Sequence, residues 1–518
     1  MLEEIDLLIV DANIETMCDD QPNAEAIAIK NGKILEVGST NEMKLKYIKV
    51  KKILDLNGEF LCPGFNDTHT HLLAMSAKFQ DVMLDEVTSH LEALEKIAER
   101  VKTTPKGKWI FGERWDESNW DEKRFLTLED LDKVAPENPC FIRRVCGHLV
   151  SVNSLALEEL GIASDDPDLP INPNTKKPLG YLKDELINRL ADEPKLKITQ
   201  EDLDKAVLVA CKYANSLGVT SCTDNLSTKS VNSYIKAWKE NQLTVRIYMN
   251  IPRTKFSSYL ETGLKTGFGD EFLKFGGVKI FTDGSLGSHT AALKKPYHID
   301  PSTTGKFYIE KEIFFNTIKT AIENGWQTAT HAIGDDAIDF VIKAFENISD
   351  SDLIKKGRHR IEHAEYLLDD QLNRVNKLGL ILSMQPNFPG RWGKPGQLYE
   401  QCLGPERYKL LNPFRKINAS KTKVCFGSDN MPMSPIFGIY SVASHPIEGI
   451  RISAKEALYC FTFGAAYSSF EEDIKGSIEP GKLADFVVLD KDILKIPPEE
   501  INDTKVLMTI VNGEVVFP

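Results

Sequence analysis

No stretch of this chain approaches the about 20 consecutive apolar residues that span a bilayer, so no transmembrane segment is expected. No two of its nine cysteines stand in a CxxC spacing. Cys18, Cys62, Cys140, Cys146, Cys211, Cys222, Cys402, Cys425 and Cys460 are scattered and odd in number, which fits buried thiols in a reducing compartment rather than a disulfide framework. Positive charge is also short: 63 Lys and Arg against 76 Asp and Glu leave a net charge of -13. With a pI near 5.4, that balance argues against a basic nucleic-acid footprint. The opening MLEEIDLLIVDANIETM is acidic where a secretory leader is basic, and its apolar run is short. The expectation is a soluble cytoplasmic protein that binds neither nucleic acid nor membrane, with a homodimer as the default assembly.

What is present is a change of pattern along the chain. Near the start, AEAIAIKNGKILEVG is β-branched and turns at Asn31-Gly32, a strong hairpin signal. Near the end, ADFVVLDKD and VLMTIVNGEVVF have the same character and turn at Asn512-Gly513. These two ends predict one small β-sandwich domain built from residues 1–60 together with 470–518. The middle alternates instead. A helical pattern, a glycine stop and a short apolar strand follow one another at Gly218, at Gly325 and at Gly379. Eight strand candidates result: LCPGFNDTH, VTSCTD, RIYMN, VKIFTD, QTATH, RHRIEH, LILSMQ and VCFGSD. Eight strands with helix-length spacers predict an α/β chain with a (β/α)8 TIM barrel over 61–469. The span from about 75 to about 200 is too long for one crossover and reads as an insertion after barrel strand 1. Its aromatic and acidic GERWDESNWDE is expected near the barrel mouth.

Only ten histidines occur, and four fall at the C-terminal ends of predicted barrel strands: His69, His71, His331 and His363. Asp429 closes strand eight. Barrel active sites form at that face, and imidazoles with a carboxylate favour zinc or a similar first-row ion. His90 is expected on a solvated helix surface, and His298, His445 and His359 in structural roles. His359 lies four residues before His363, so period two would put both on one strand face. His148 and His289 are candidates for the pocket.

The runs GFNDTHTHL, VKIFTDGSLGSHTAAL, THAIGDDAID, RHRIEHAEYL, GSDNMP and KGSIEPGKLADFVVLD resemble the amidohydrolase superfamily, and within it the family 3 branch, which includes N-substituted formamide deformylase. The likeness runs end to end. It implies a metal-dependent barrel in which His69 and His71 bind one divalent ion and His331 and His363 a second. Asp429 would bind metal and transfer the proton. Lys279, ending strand four, matches the position where many relatives carry a carboxylated lysine that bridges two ions. The competing reading leaves Lys279 an ammonium paired with Asp283, beside one metal. His289 stands where relatives usually have arginine.

The resemblance implies hydrolysis of a C–N bond, in an amide or N-substituted formamide, in a small-molecule substrate. A cyclic amide, an imidazolone, an ester or a lactone would suit the same site, and a non-catalytic binding or regulatory relative is the alternative of another class. Trp115, Trp120, His148, Asp283, His289 and Trp392 are the candidate substrate contacts, with the tryptophans lining a pocket for an apolar substituent.

Overall fold

Strand-forming runs from both chain ends come together in two sheets of this computed structural model, which describes residues 4–76, 82–84, 87–117, 120–144, 149–190, 193–196, 199–227 and 229–518. One sheet has four strands in the spatial order Lys33–Gly38, Ala26–Lys30, Ile5–Val10 and Val50–Asp55. The other has six: Glu514–Phe517, Val506–Val511, Phe486–Leu489, Phe60–Pro63, Asn13–Glu15 and Asn23–Ala24. Leu7, Ile9, Ile27 and Ile29 of the first pack with Leu61, Phe486, Val488 and Ile510 of the second in one apolar core. Both expected hairpin turns form, with Asn31 and Gly32 at φ 51° and 71° and Asn512 and Gly513 at 55° and 78°. Two successive positive φ values are the type I′ requirement. The two turns also meet, since a Cβ on Gly32 would stand 2.3 Å from the Asn512 Oδ1.

The barrel follows. Its strands are β1 Phe65–Thr70, β2 Val219–Asn225, β3 Arg246–Pro252, β4 Leu273–Phe281, β5 Thr328–Ala332, β6 Arg360–His363, β7 Ile381–Met384 and β8 Val424–Phe426. Each pairs in parallel with the next. The seam between β8 and β1 is closed by other means: the Ser428 N–H donates to Asp67 Oδ1 at 2.8 Å and the Asp429 N–H to the His69 carbonyl at 2.8 Å. The expected helices before β2, β5 and β7 are Gln200–Ser216, Lys311–Glu323 and Asp369–Leu378.

One strand expectation is corrected. The run 61–69 is divided, because Phe60–Pro63 pairs antiparallel with Phe486–Leu489 in the terminal sheet and only Phe65 onward enters the barrel. Gly64 is the crossing point, where a Cβ would lie 2.3 Å from the Thr220 side chain. Terminal sheets and barrel make up one compact unit, Met1–Ala74 with Asp204–Pro518. Arg246, opening β3, ties them together through a bidentate ion pair with the buried Asp485, at 2.7 and 2.9 Å.

Residues Met75–Leu203 form a second unit. Its sheet runs Tyr181–Lys183, Leu149–Val152, Cys140–Arg144, Ile110–Trp115 and Val82–Met83. His90 is buried in this unit, not solvated: its Nε2 is 3.1 Å from Asp130, and Arg124 reaches its Nδ1 at 3.1 Å. No helix among the described residues is long and apolar enough to cross a membrane.

Candidate metal centre

The end of β1 is held by a buried carboxylate. Asp224, on β2, accepts the Leu72 N–H at 2.8 Å, the Leu73 N–H at 3.2 Å and the Tyr234 hydroxyl at 2.7 Å. Thr70 turns away from the histidines and donates to the Thr223 carbonyl at 3.0 Å. His69 and His71 therefore leave the same side of β1, with ring centroids 5.9 Å apart.

Around them the strand ends converge. The His363 ring lies 4.8 Å from that of His69 and 4.3 Å from that of His331. The Asp429 Oδ1 lies 3.4 Å from His71 Nε2 and 3.8 Å from His69 Nε2. Lys279 Nζ is 3.1 Å from His69 Nε2 and sits over the Phe281 ring. All six residues singled out as candidate ligands are thus in one cluster, drawn from five strand ends. Ligating atoms of His69, His363 and Asp429 fall within 4.8 Å of one another. Two of the six sit on strained backbone, with φ at +72° for His363 and +49° for Asp429. Non-glycine residues rarely adopt such values, and those that do concentrate at functional sites.

Electrostatics favour lone pairs over protons. Burial, with the nearby charge of Lys279, holds the His71 imidazole down to about 4 and that of His331 to about 3. Burial likewise holds His69 and His363 well below the usual range. Burial lowers Lys279 to about 8 and raises Asp429 to about 7. Four neutral imidazoles at neutral pH are ready donors for a cation. His69 gives its Nδ1 proton to Glu362, which leaves the lone pair on Nε2, the atom facing Lys279 and Asp429. His331 Nε2 donates to the Gly284 carbonyl at 3.0 Å and leaves its lone pair on Nδ1. The His363 Nδ1 is buried with no hydrogen-bond partner, an orphan that a bound ion would satisfy. The residues present fit a metal.

Two members of this arrangement escaped the sequence reading. Glu362 and Arg360 are buried on β6, the Arg360 Nε donating to Glu362 at 2.7 Å and its Nη2 to the Thr68 carbonyl at 2.6 Å. Burial would raise the Glu362 carboxyl, but the Arg360 charge and the His69 contacts hold it well below its ordinary value. Their signal was the alternation in RHRIEH, which puts Arg360 and Glu362 on one face.

The candidate substrate contacts are distributed differently. Trp115 and Trp120 are fully buried in the core of the insertion, rings 5.7 Å apart, because indoles that size supply much of a small unit's apolar burial. They are packing residues, which corrects the expectation of a pocket wall. Asp283 is likewise internal: it accepts the N–H groups of Ala292, Ile333 and Gly334 at 2.9, 3.1 and 2.9 Å, and burial raises it to about 7. It holds the loops after β4 and β5, and the neighbour of Lys279 Nζ is His69. His289, at φ +55°, lies beside Tyr297 at 5.2 Å. Trp392 packs on Phe388, which in turn stacks on His363 at 6.0 Å. His148 lies outside the described residues. A cavity of about 420 Å³ opens on His71 and Lys279, walled by Leu226, Phe281, Tyr308 and Ile309.

Known proteins resemble this chain over nearly its whole length. The profile of the amidohydrolase family matches residues 52–517. N-substituted formamide deformylase of Arthrobacter pascens is 28% identical over 544 residues, covering 99% of this chain and 98% of its own. Protein LONG AFTER FAR-RED 3 of Arabidopsis thaliana is 30% identical, covering 99% of this chain and 92% of its own. The crystal structure of an uncharacterized metal-dependent hydrolase from Pyrococcus furiosus superimposes with a TM-score of 0.78 at 29% identity, over 94% of this chain and all of that one.

Proposed function

This chain belongs to the amidohydrolase family, and from that membership we propose that it hydrolyses a C–N bond in a small amide or N-substituted formamide. The observation that carries the reading is the convergence of four histidines, Lys279 and Asp429 at the barrel strand ends, beside a cavity that opens on His71 and Lys279. His69, His71, His331, His363 and Asp429 would hold two divalent ions, zinc by the chemistry of the donor set, with Lys279 bridging as a carbamate. Lys279 suits that modification because carboxylation consumes a neutral amine, and burial brings its pKa down to about 8. Bound ions supply Lewis acidity, which lowers the pKa of water from about 16 to about 7 and stabilises charge on a carbonyl oxygen.

The chain's own part is proton handling and orientation. Asp429, at the end of β8 and 3.4 Å from His71 Nε2, is placed to exchange a proton with a water at the centre. It takes the proton of the attacking water and delivers it to the departing nitrogen. Glu362 keeps the His69 proton on Nδ1, and the Gly284 carbonyl keeps the His331 proton on Nε2. The similarity to N-substituted formamide deformylase supports formamides as the first substrates to try.

The test is Asp429→Asn in metal-loaded protein on a panel of N-alkyl and N-benzyl formamides. Metal content should stay near that of the parent, about two ions per chain, while kcat falls by about 100- to 10,000-fold. Full turnover in the variant would remove Asp429 from the proton path, and no turnover of any amide by the loaded parent would overturn C–N hydrolysis.

A further inference from the structure

One group on the cavity wall has no part in the reaction described above. Arg253 opens the short turn Arg253–Lys255 that follows β3, and it lines the cavity that contains His71 and Lys279. The β3–β4 ladder pairs Pro252 with Lys279. Arg253 is therefore one residue beyond that rung, and strand geometry puts its Cα about 6 Å from that of Lys279.

Its guanidinium has no hydrogen-bond or ion-pair partner among the described residues. Elsewhere in the same unit buried or half-buried arginines hold carboxylates: Arg246 holds Asp485, Arg358 holds Glu472, Arg360 holds Glu362 and Arg374 holds Asp339. None of the described residues that line the cavity is an aspartate or glutamate; its other walls combine Leu226, Phe281, Tyr308 and Ile309 with the neutral polar Asn225, Ser227 and Thr254. Phe281 and Tyr308 are 46% and 50% exposed there and leave ring surface open to a ligand. A largely apolar slot with His71 and Lys279 at one side and an unpaired planar cation on its wall is complementary to a particular shape of molecule. That shape is an amide nitrogen, an apolar or aromatic segment, and a carboxylate.

We propose that Arg253 is the specificity-determining residue of this site and binds a carboxylate on the substrate, so that the preferred substrates are anionic amides rather than neutral ones. The proposal rests on the C–N hydrolysis reading for its scissile bond, and on the cavity alone for its anion. A guanidinium matches a carboxylate with two parallel hydrogen bonds, which a lysine ammonium cannot reproduce.

The test compares N-formyl-4-(aminomethyl)benzoate with N-formyl-4-methylbenzylamine, which differ by a carboxylate in place of a methyl group, on metal-loaded full-length protein. The parent should favour the anionic amide in kcat/KM by about 30-fold or more, falling to within about threefold in Arg253→Met and to an intermediate ratio in Arg253→Lys. Arg253→Glu should shift the preference to the amide that carries a second aminomethyl group. A parent ratio near one, or a ratio untouched in Arg253→Met, overturns the proposal. Calorimetry with 4-methylbenzoate separates the two readings. If the loaded parent cleaves neither amide, yet Arg253→Met weakens binding of this anion about tenfold or more, the anion site stands and C–N hydrolysis falls. Equal binding by parent and variant overturns the anion site whatever the turnover.

Discussion

Glu362 does two jobs with one carboxylate. Both oxygens accept from Arg360, at 2.7 and 3.1 Å, and the Oε2 also accepts the His69 Nδ1–H, all of it shut away from water. The pair with Arg360 exists because an isolated buried charge on either side would be intolerable, so breaking it by one residue costs about 3–5 kcal/mol. The bond to His69 acts on the metal centre, since fixing the tautomer and orientation of a ligating imidazole is worth about 10- to 100-fold in metal affinity. Glu362→Gln keeps the shape and removes the charge, so it should lower both thermal stability and zinc affinity. The double variant Arg360→Met/Glu362→Gln removes both charges, and it should regain much of the stability without regaining the affinity. Thermal midpoints and competition against a zinc chelator read the two effects. Recovery of both would mean that Glu362 acts on the fold alone.

At the scale of elements, the seam between β8 and β1 is closely packed and brings Asp429 to His69. A Cβ on Gly427 would meet His69 backbone N at 2.4 Å and its Cβ at 2.7 Å, and neither atom can yield without moving β1. Gly427→Ala should therefore cost about 1–3 kcal/mol by overpacking and displace His69 from the cluster. The expected result is a lower melting temperature together with reduced bound metal. An alanine variant with full metal and unchanged melting would show that the seam is loose. This seam also marks how far the sequence could be read. Strand number, strand ends and five of the six converging residues were legible, because alternation and glycine stops are local signals, whereas Lys279 was singled out by the family resemblance. The break at Gly64 was not, since the strand run 61–69 continues through it and only pairing with Phe486–Leu489 or with β2 divides it. Period two also misled at β6. His359 faces outward, accepting the Thr328 N–H at 3.1 Å and packing on Phe345, whereas the +72° φ of His363 takes that residue out of the alternation. Trp115 and Trp120 failed for a different reason: aromatic clustering in sequence is the same whether the rings line a cavity or fill a core.

For the whole molecule, the same burial that keeps histidines ready for a cation makes each of them an acid-sensitive element of the fold. His359 is held to about 3 and His445 to about 4 by burial, and in the metal-free protein His331 and His71 join them at about 3 and about 4. An unfolded chain protonates each of these near 6.5. Because the folded values are depressed, the unfolded state binds more protons between those values and 6.5. Each histidine's contribution is therefore complete above about 6.5 and is lost as pH falls to its folded value, by about 1.4 kcal/mol per pH unit. Buried carboxyls such as Asp283, raised to about 7, act in the opposite sense. His359 isolates one such proton, since it lies on the outer face of the barrel away from the ligating groups. His359→Asn keeps an acceptor for the Thr328 N–H and removes the titration. Urea unfolding of metal-free protein at pH 6, 5 and 4 should show the parent losing stability more steeply than His359→Asn, by about 1.4 kcal/mol per unit. Parallel slopes would show that His359 is protonated in the fold as readily as in the open chain.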